Sequence, residues 1–139
     1  MYLEAYMESP NTLTIKKIGE VRSTLTNKED CPLQGEEGAP EAWLHIDKKY
    51  LTALESLAPG DTVVLLTWLH LANRDTLACY PRNQFDAPHV GVFSTRSPDR
   101  PNPIGLHTVE ILAIEGNRLK VYPLEALDGT IVVDIKPVL

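Results

Sequence analysis

A small, mainly β domain is what this sequence predicts: a closed or partly open β-barrel of about eight strands with one short helix. Three observations carry that reading. Short apolar runs rich in valine, isoleucine and leucine recur at a spacing of roughly ten residues. Turn signals such as Gly116-Asn117 and Asp128-Gly129 separate the later runs. Only Lys48 to Leu57, with Leu51, Leu54 and Leu57 on one face, has helical spacing.

Met1 to Asn11 shows no periodicity and reads as a peripheral tail. Leu13 to Ile18 leads through Gly19 into Glu20-Val21-Arg22, a first strand with room for a bulge at the glycine. Ser23 to Pro40 is poor in apolar residues and broken by Pro32, Gly35, Gly38 and Pro40. A loop of about eighteen residues is long enough to imply a purpose. Ala42 to Ile46 alternates as a strand, and Asp47 is a suitable N-cap for the helix that Pro59-Gly60-Asp61 ends.

Thr62 to Leu71 is the most apolar run, a buried strand by its length and β-branching. A turn at Asn73-Arg74-Asp75 precedes a short strand over Thr76 to Tyr80, and Pro81 to Pro88 is a second polar loop. Val90 to Phe93 reads as a strand. Leu106 to Ile114 alternates, with Leu106, Thr108, Glu110 and Leu112 on one face and His107, Val109, Ile111 and Ala113 on the other. Arg118 to Tyr122 returns from the Gly116-Asn117 hairpin, and Thr130 to Ile135 is the last strand.

By length, residues 1–139 are expected to form one domain, with residues 1–11 peripheral and no C-terminal extension expected. No stretch approaches the roughly 20 apolar residues that cross a bilayer. The start, MYLEAYMESP, lacks the basic region of a signal peptide. Cys31 and Cys79 make no CxxC pair and no disulfide framework, which fits a cytoplasmic setting. The net charge of −6 argues against a simple nucleic-acid binder. The charge is uneven, however. Residues 1–61 hold eleven acids and six bases, and residues 62–139 eight and seven. Arg74, Arg82, Arg96 and Arg100 could form a modest basic patch.

Several chemistries are absent. There is no GxxxxGK phosphate loop, no GxGxxG turn and no GxSxG elbow. His45, His70, His89 and His107 form no HxH or HxxxH pair, so no metal is expected.

What stands out is Arg96-Ser97-Pro98-Asp99-Arg100-Pro101-Asn102-Pro103-Ile104 between two strands. Each proline fixes its own φ and biases the residue before it toward extended conformations, so this loop loses little entropy when a ligand docks. It also cannot pair as a central strand. Taken alone, it could be a stiff crossover as readily as a binding site.

TRSPDRPNPIGL at Thr95 to Leu106, followed by LDGTIVVDIKP at Leu127 to Pro137, resembles the TsaA/TrmO family of S-adenosylmethionine-dependent tRNA methyltransferases. IGEVRS at Ile18 to Ser23 and LLTWLH at Leu65 to His70 fit the same pattern. The resemblance implies S-adenosylmethionine as cofactor, a homodimer with the cofactor near the subunit interface, and tRNA as partner. The implied acceptor is the exocyclic amine of threonylcarbamoyladenosine beside the anticodon. Implied cofactor contacts are Pro32, Leu33 and Gln34, the pair His70 and Leu71, Arg96, Leu106, and the turn Asp128, Gly129, Thr130 and Ile131. Leu33 stands where the family has an arginine, and Ile131 where it has a proline. A guanidinium at Arg96 suits the methionyl carboxylate. Arg100 and Asn102 either touch substrate or brace the loop.

The family pattern names no general base; Asp128, Asp134 and His70 are candidates. Two other functions stay open: a methyltransferase for a small-molecule substrate, and a non-enzymatic S-adenosylmethionine-binding module. The acidic balance and the chain end directly after DIKP, where longer bacterial relatives continue into a second domain, favour the former. Leu33 favours the latter.

Overall fold

Strands whose alternate residues are apolar can hide one face only by packing it on something, and here a sheet closes on itself. The computed structural model describes residues 10–81 and 85–139. Its strands are β1 (Gly19–Arg22), β2 (Ala42–Ile46), β3 (Thr62–Trp68), β4 (Ala78–Cys79), β5 (Val90–Gly91), β6 (Ile104–Glu115), β7 (Arg118–Tyr122) and β8 (Ile131–Pro137). Six of them form a closed antiparallel barrel in the order β1-β2-β7-β6-β3-β8, and β4 pairs with β5 in a separate ribbon. Of the expected closed or partly open barrel of about eight strands, the closed form is the one found, and the correction is to the ring, which has six strands. Val21, Leu44, Leu65, Val109, Ile111, Leu119, Val121 and Val132 fill the interior. Burying each such side chain contributes about 1.5–3 kcal/mol, so this layer fixes the barrel and leaves its ends free to carry chemistry.

Two registers are irregular. β6 and β7 shift between Ile111 and Ala113, and β3 and β8 shift between Leu66 and Thr67. The first shift corrects the predicted alternation. Beyond Leu112 it is Ile114, opposite the buried Leu119, that packs on the core in place of Ala113.

Other boundaries differ from expectation for local reasons. The first strand begins at Gly19, with Leu13 and Ile15 exposed, and pairs with β2 without a bulge. A Cβ on Gly19 would lie 2.4 Å from the His45 carbonyl oxygen, so glycine serves close strand approach there. The expected helix is a 3-10 segment over Lys48–Leu54, with the Asp47 carboxylate accepting from the Lys49 N–H at 3.1 Å. Ser56 takes φ 75°, a left-handed conformation that no helix propagates. Leu51 is exposed, and Tyr50 joins Leu54 and Leu57 against the core.

β3 stops at Trp68 rather than Leu71: Leu69 still donates its N–H in register to the Pro103 carbonyl at 2.9 Å, but Pro103 has no N–H to return. Of Thr76 to Tyr80, Ala78–Cys79 forms the strand, and the Leu77 carbonyl accepts the Val92 N–H at 3.0 Å beside it. The strand at Val90 ends at Gly91, where hydroxyls capture carbonyls that a ladder would use. Ser94 Oγ donates to Gly91 O at 2.8 Å and Thr95 Oγ1 to Val92 O at 2.9 Å, folding Val92–Ser94 into a 3-10 turn. Of the expected peripheral tail over residues 1–11, residues 1–9 lie outside the described residues, as does Arg82 of the expected basic patch; Pro10 and Asn11 are exposed.

Candidate functional site

The antiparallel order brings the ends of β1, β3 and β7 and the starts of β2, β6 and β8 to one end of the barrel. The long Ser23–Pro40 loop, the proline-rich loop and the Pro123–Thr130 crossing all gather there. Between them opens a cleft of about 560 Å³.

The proline-rich loop is braced from within and from the side. Arg100 donates through Nη1 to Thr95 O at 3.1 Å and Ser97 O at 3.2 Å, and through Nη2 to Val92 O at 2.5 Å. Arg74 donates from Nε to Pro101 O at 2.7 Å and from Nη2 to Asn102 Oδ1 at 3.1 Å, with its guanidinium 5.0 Å from the Trp68 ring centroid. Asp99 accepts the Asn73 N–H at 2.8 Å. Arg100, Arg74 and Asn102 are therefore structural as well as near the site, and they spend much of the expected basic patch on the protein itself. Arg96 differs. It is exposed, lines the cleft, and makes no hydrogen bond or ion pair among the described residues.

The expected cofactor residues divide into two groups. Pro32, Leu33 and Gln34 line one wall, His70 and Leu71 another. Arg96, Arg100 and Leu106 complete the rim, and the buried Thr130 also lines the cleft. Asp128, Gly129 and Ile131 do not line it. Their turn is tied to the first strand's exit: Asp128 N donates to Leu25 O at 2.8 Å and Gly129 N to Val21 O at 2.7 Å. Asp128 Oδ1 accepts the Ser23 N–H at 3.0 Å. Asn102 also sits outside the lining, and Asp134 pairs with Lys136 at 3.1 Å away from the cleft. Of the three candidate bases, only His70 faces the cavity.

Three residues that sequence reading missed form a linked chain: His107 and Glu125 line the cleft, and Thr67 backs His107. His107 Nδ1 is 2.5 Å from Glu125 Oε1, and His107 Nε2 is 2.7 Å from Thr67 Oγ1. Thr67 is fully buried, and the His107 and Glu125 side chains are 5% and 16% exposed. The available signal was a histidine on the inward face of an otherwise apolar alternation.

The remaining walls are apolar, from Leu69, Ile104, Ala126 and Leu127. Burial pushes the Cys31 thiol up, with the charges of Asp30, Glu125 and Glu29 acting in the same direction, so it stays a protonated wall group. Among the described residues, no group of three or more His, Cys, Asp or Glu side chains is placed to hold a metal ion, and no helix is long and apolar enough to cross a membrane. An apolar slot of this size with one uncommitted guanidinium at the rim fits a nucleoside bearing a charged tail.

The family model for the tRNA-methyltransferase O N-terminal domain matches residues 20–139. The chain belongs to that family. A probable S-adenosyl-L-methionine-binding protein of Methanothermobacter thermautotrophicus is 44% identical over 125 residues, covering 90% of this chain and 89% of its own. An S-adenosyl-L-methionine-binding protein of Archaeoglobus fulgidus is 42% identical over 124 residues, 89% of this chain and 88% of that one. The crystal structure of TrmO from Pseudomonas aeruginosa is similar with a TM-score of 0.72 at 32% identity, over 92% of this chain. The family member described here spans little more than half of that TrmO chain, 56%. Every cleft residue named above falls within the matched span.

Proposed function

We propose that this chain is an S-adenosylmethionine-dependent methyltransferase whose acceptor is the exocyclic amine of threonylcarbamoyladenosine beside the anticodon of tRNA. The observation that carries the reading is Arg96: an uncommitted guanidinium on a braced loop, at the rim of a nucleoside-sized apolar cleft, in a chain of the tRNA-methyltransferase O N-terminal domain family. Arg96 takes the methionyl carboxylate. Leu71 and Leu106 flank the adenosine, with Pro32, Leu33, Gln34, His70 and Thr130 closing around it. Asp128, Gly129 and Ile131 support Thr130 by holding the turn. When bound, the cofactor supplies a methyl group on a positively charged sulfur.

The chain's main contribution is alignment, because holding two reactants at near-attack distance replaces an encounter with a unimolecular step. Arg100 and Arg74 fix the loop in advance, so little order has to be imposed when the ligand arrives. The site works in the cytoplasm, on tRNA that already carries the threonylcarbamoyl group.

The test is transfer of labelled methyl from S-adenosylmethionine to tRNA with and without that modification. Transfer to modified tRNA alone is expected. Transfer only to small molecules would move the assignment to a small-molecule methyltransferase. Tight cofactor binding with no turnover would make the chain a binding module, a reading favoured by Leu33 and by the names of the archaeal relatives.

The chain is also expected to be a homodimer. The β4–β5 region exposes Leu77, Phe85 and Phe93 at 70%, 76% and 85%, and apolar surface of that kind favours a partner. A native mass of one chain at micromolar concentration would count against it.

A further inference from the structure

We propose that Glu125 is the proton acceptor of this site, with His107 and Thr67 as the positioning residues that aim it. The proposal rests on the methyl-transfer reading above and adds the group that this reading lacks.

The arrangement follows from strand register. Thr67 on β3 lies opposite Gly105 on β6, and Leu65 lies opposite His107. Thr67 and His107 are therefore diagonal neighbours on the inner face, close enough for a histidine to reach across. Gly105 keeps the lane open. A Cβ there would lie 2.4 Å from Thr67 Oγ1 and 2.7 Å from His107 Nε2. On its other side the imidazole meets Glu125, in the crossing between the buried Leu124 and Ala126. Those two neighbours anchor the segment, so the carboxylate is fixed at both its backbone and its tip.

Hydrogen-bond roles give the chain a direction. An ionised carboxylate only accepts, so Nδ1 carries the ring proton and donates to Glu125 Oε1. In the tautomer that carries its one proton on Nδ1, Nε2 accepts from the Thr67 hydroxyl. Both ring nitrogens are engaged, which leaves His107 no free site for a substrate proton. Glu125 Oε2 takes no part in this chain, and Glu125 lines the cleft. The competing groups are differently placed. Asp128 is committed to the Ser23 N–H, Asp134 to Lys136, and His70 stands exposed at the rim.

A nitrogen bonded to a carbamoyl group is scarcely basic, so it must lose its N–H as it gains a methyl. The acceptor nitrogen forms the N–C bond, the pair of the broken C–S bond stays on sulfur, and the proton goes to Glu125 Oε2. One sulfonium and one carboxylate become one thioether and one carboxylic acid, so charge balances. Water takes the proton when product leaves.

Glu125→Gln keeps the shape of the side chain and removes its basicity. In the full-length protein this variant is expected to lose roughly 10²–10⁴-fold in kcat on modified tRNA, the usual size of a general-base contribution. Calorimetric affinity for S-adenosylmethionine should stay within about threefold of wild type. Nitrogen-15 NMR of His107 gives a reading independent of turnover: Nδ1 protonated and Nε2 bare in the wild-type protein, with the Nδ1 proton moving upfield in the variant. An active Glu125→Gln protein beside an active wild type overturns the proposal alone. So does a variant that loses cofactor affinity in step with turnover, since Glu125 would then be a cofactor ligand, and so does a His107 protonated at Nε2 only. Wild-type protein that binds the cofactor and methylates no tRNA would remove the methyl-transfer reading and this proposal together.

Discussion

Arg96→Ala is expected to weaken S-adenosylmethionine binding by about 10- to 150-fold, the equivalent of about 1.5–3 kcal/mol for a hydrogen bond to a charged partner. The side chain is free in the described structure, so its removal takes nothing from the fold, and the melting temperature should not move. That separation makes the experiment informative: calorimetry reads the loss, and a thermal melt shows that it is local. Arg96→Lys should recover only part of the affinity, because an ammonium cannot grip a carboxylate with a planar fork. Unchanged affinity in the alanine variant would take Arg96 out of the site.

Gly105→Ala is expected to act oppositely, on stability first. The added methyl has nowhere to go, with Thr67 Oγ1 at 2.4 Å, His107 Nε2 at 2.7 Å and Leu69 Cδ2 at 3.2 Å from its position. Something must shift, and overpacking of this kind costs about 1–3 kcal/mol. Unfolding by denaturant should show a lowered midpoint with an unchanged slope. The same methyl separates the Thr67 hydroxyl from His107, so the His107 ring resonances should change in the folded variant. A midpoint equal to wild type would mean that the barrel end relaxes easily, contrary to the tight contacts found there.

Much of the barrel was legible because its signals are local. Ala42–Ile46 and Arg118–Tyr122 are strands with the predicted limits, each set by strict alternation next to a turn. Where side chains compete with the ladder, local reading failed. The hydroxyls of Ser94 and Thr95 convert an apolar run into a turn, and composition does not show which carbonyl a hydroxyl will choose. The shift after Ile111 hands the inner face to Ile114, and no residue type announces it.

The cleft was legible through the unusual loop between Thr95 and Leu106, whose prolines and arginines stand out in any reading. Its floor was not. His107 and Glu125 are eighteen positions apart and Thr67 and His107 forty, and only the pairing of β3 with β6 and the path of the crossing after β7 make them neighbours. Leu51 shows the same limit from the other side: helical spacing marked it as core, and tertiary packing chose Tyr50.

Closure of the six-stranded ring has a consequence for how this molecule can associate. Each barrel strand already has a hydrogen-bonded neighbour on both sides, so no incoming chain can extend the ring by backbone pairing. Contact with the barrel wall must be made by side chains alone, whose chemistry can be retuned one substitution at a time. The short β4–β5 ribbon is different: each of its strands has a sheet neighbour on one side only, which leaves an outer edge to offer, and β5 leads through Val92–Ser94 into the ligand loop.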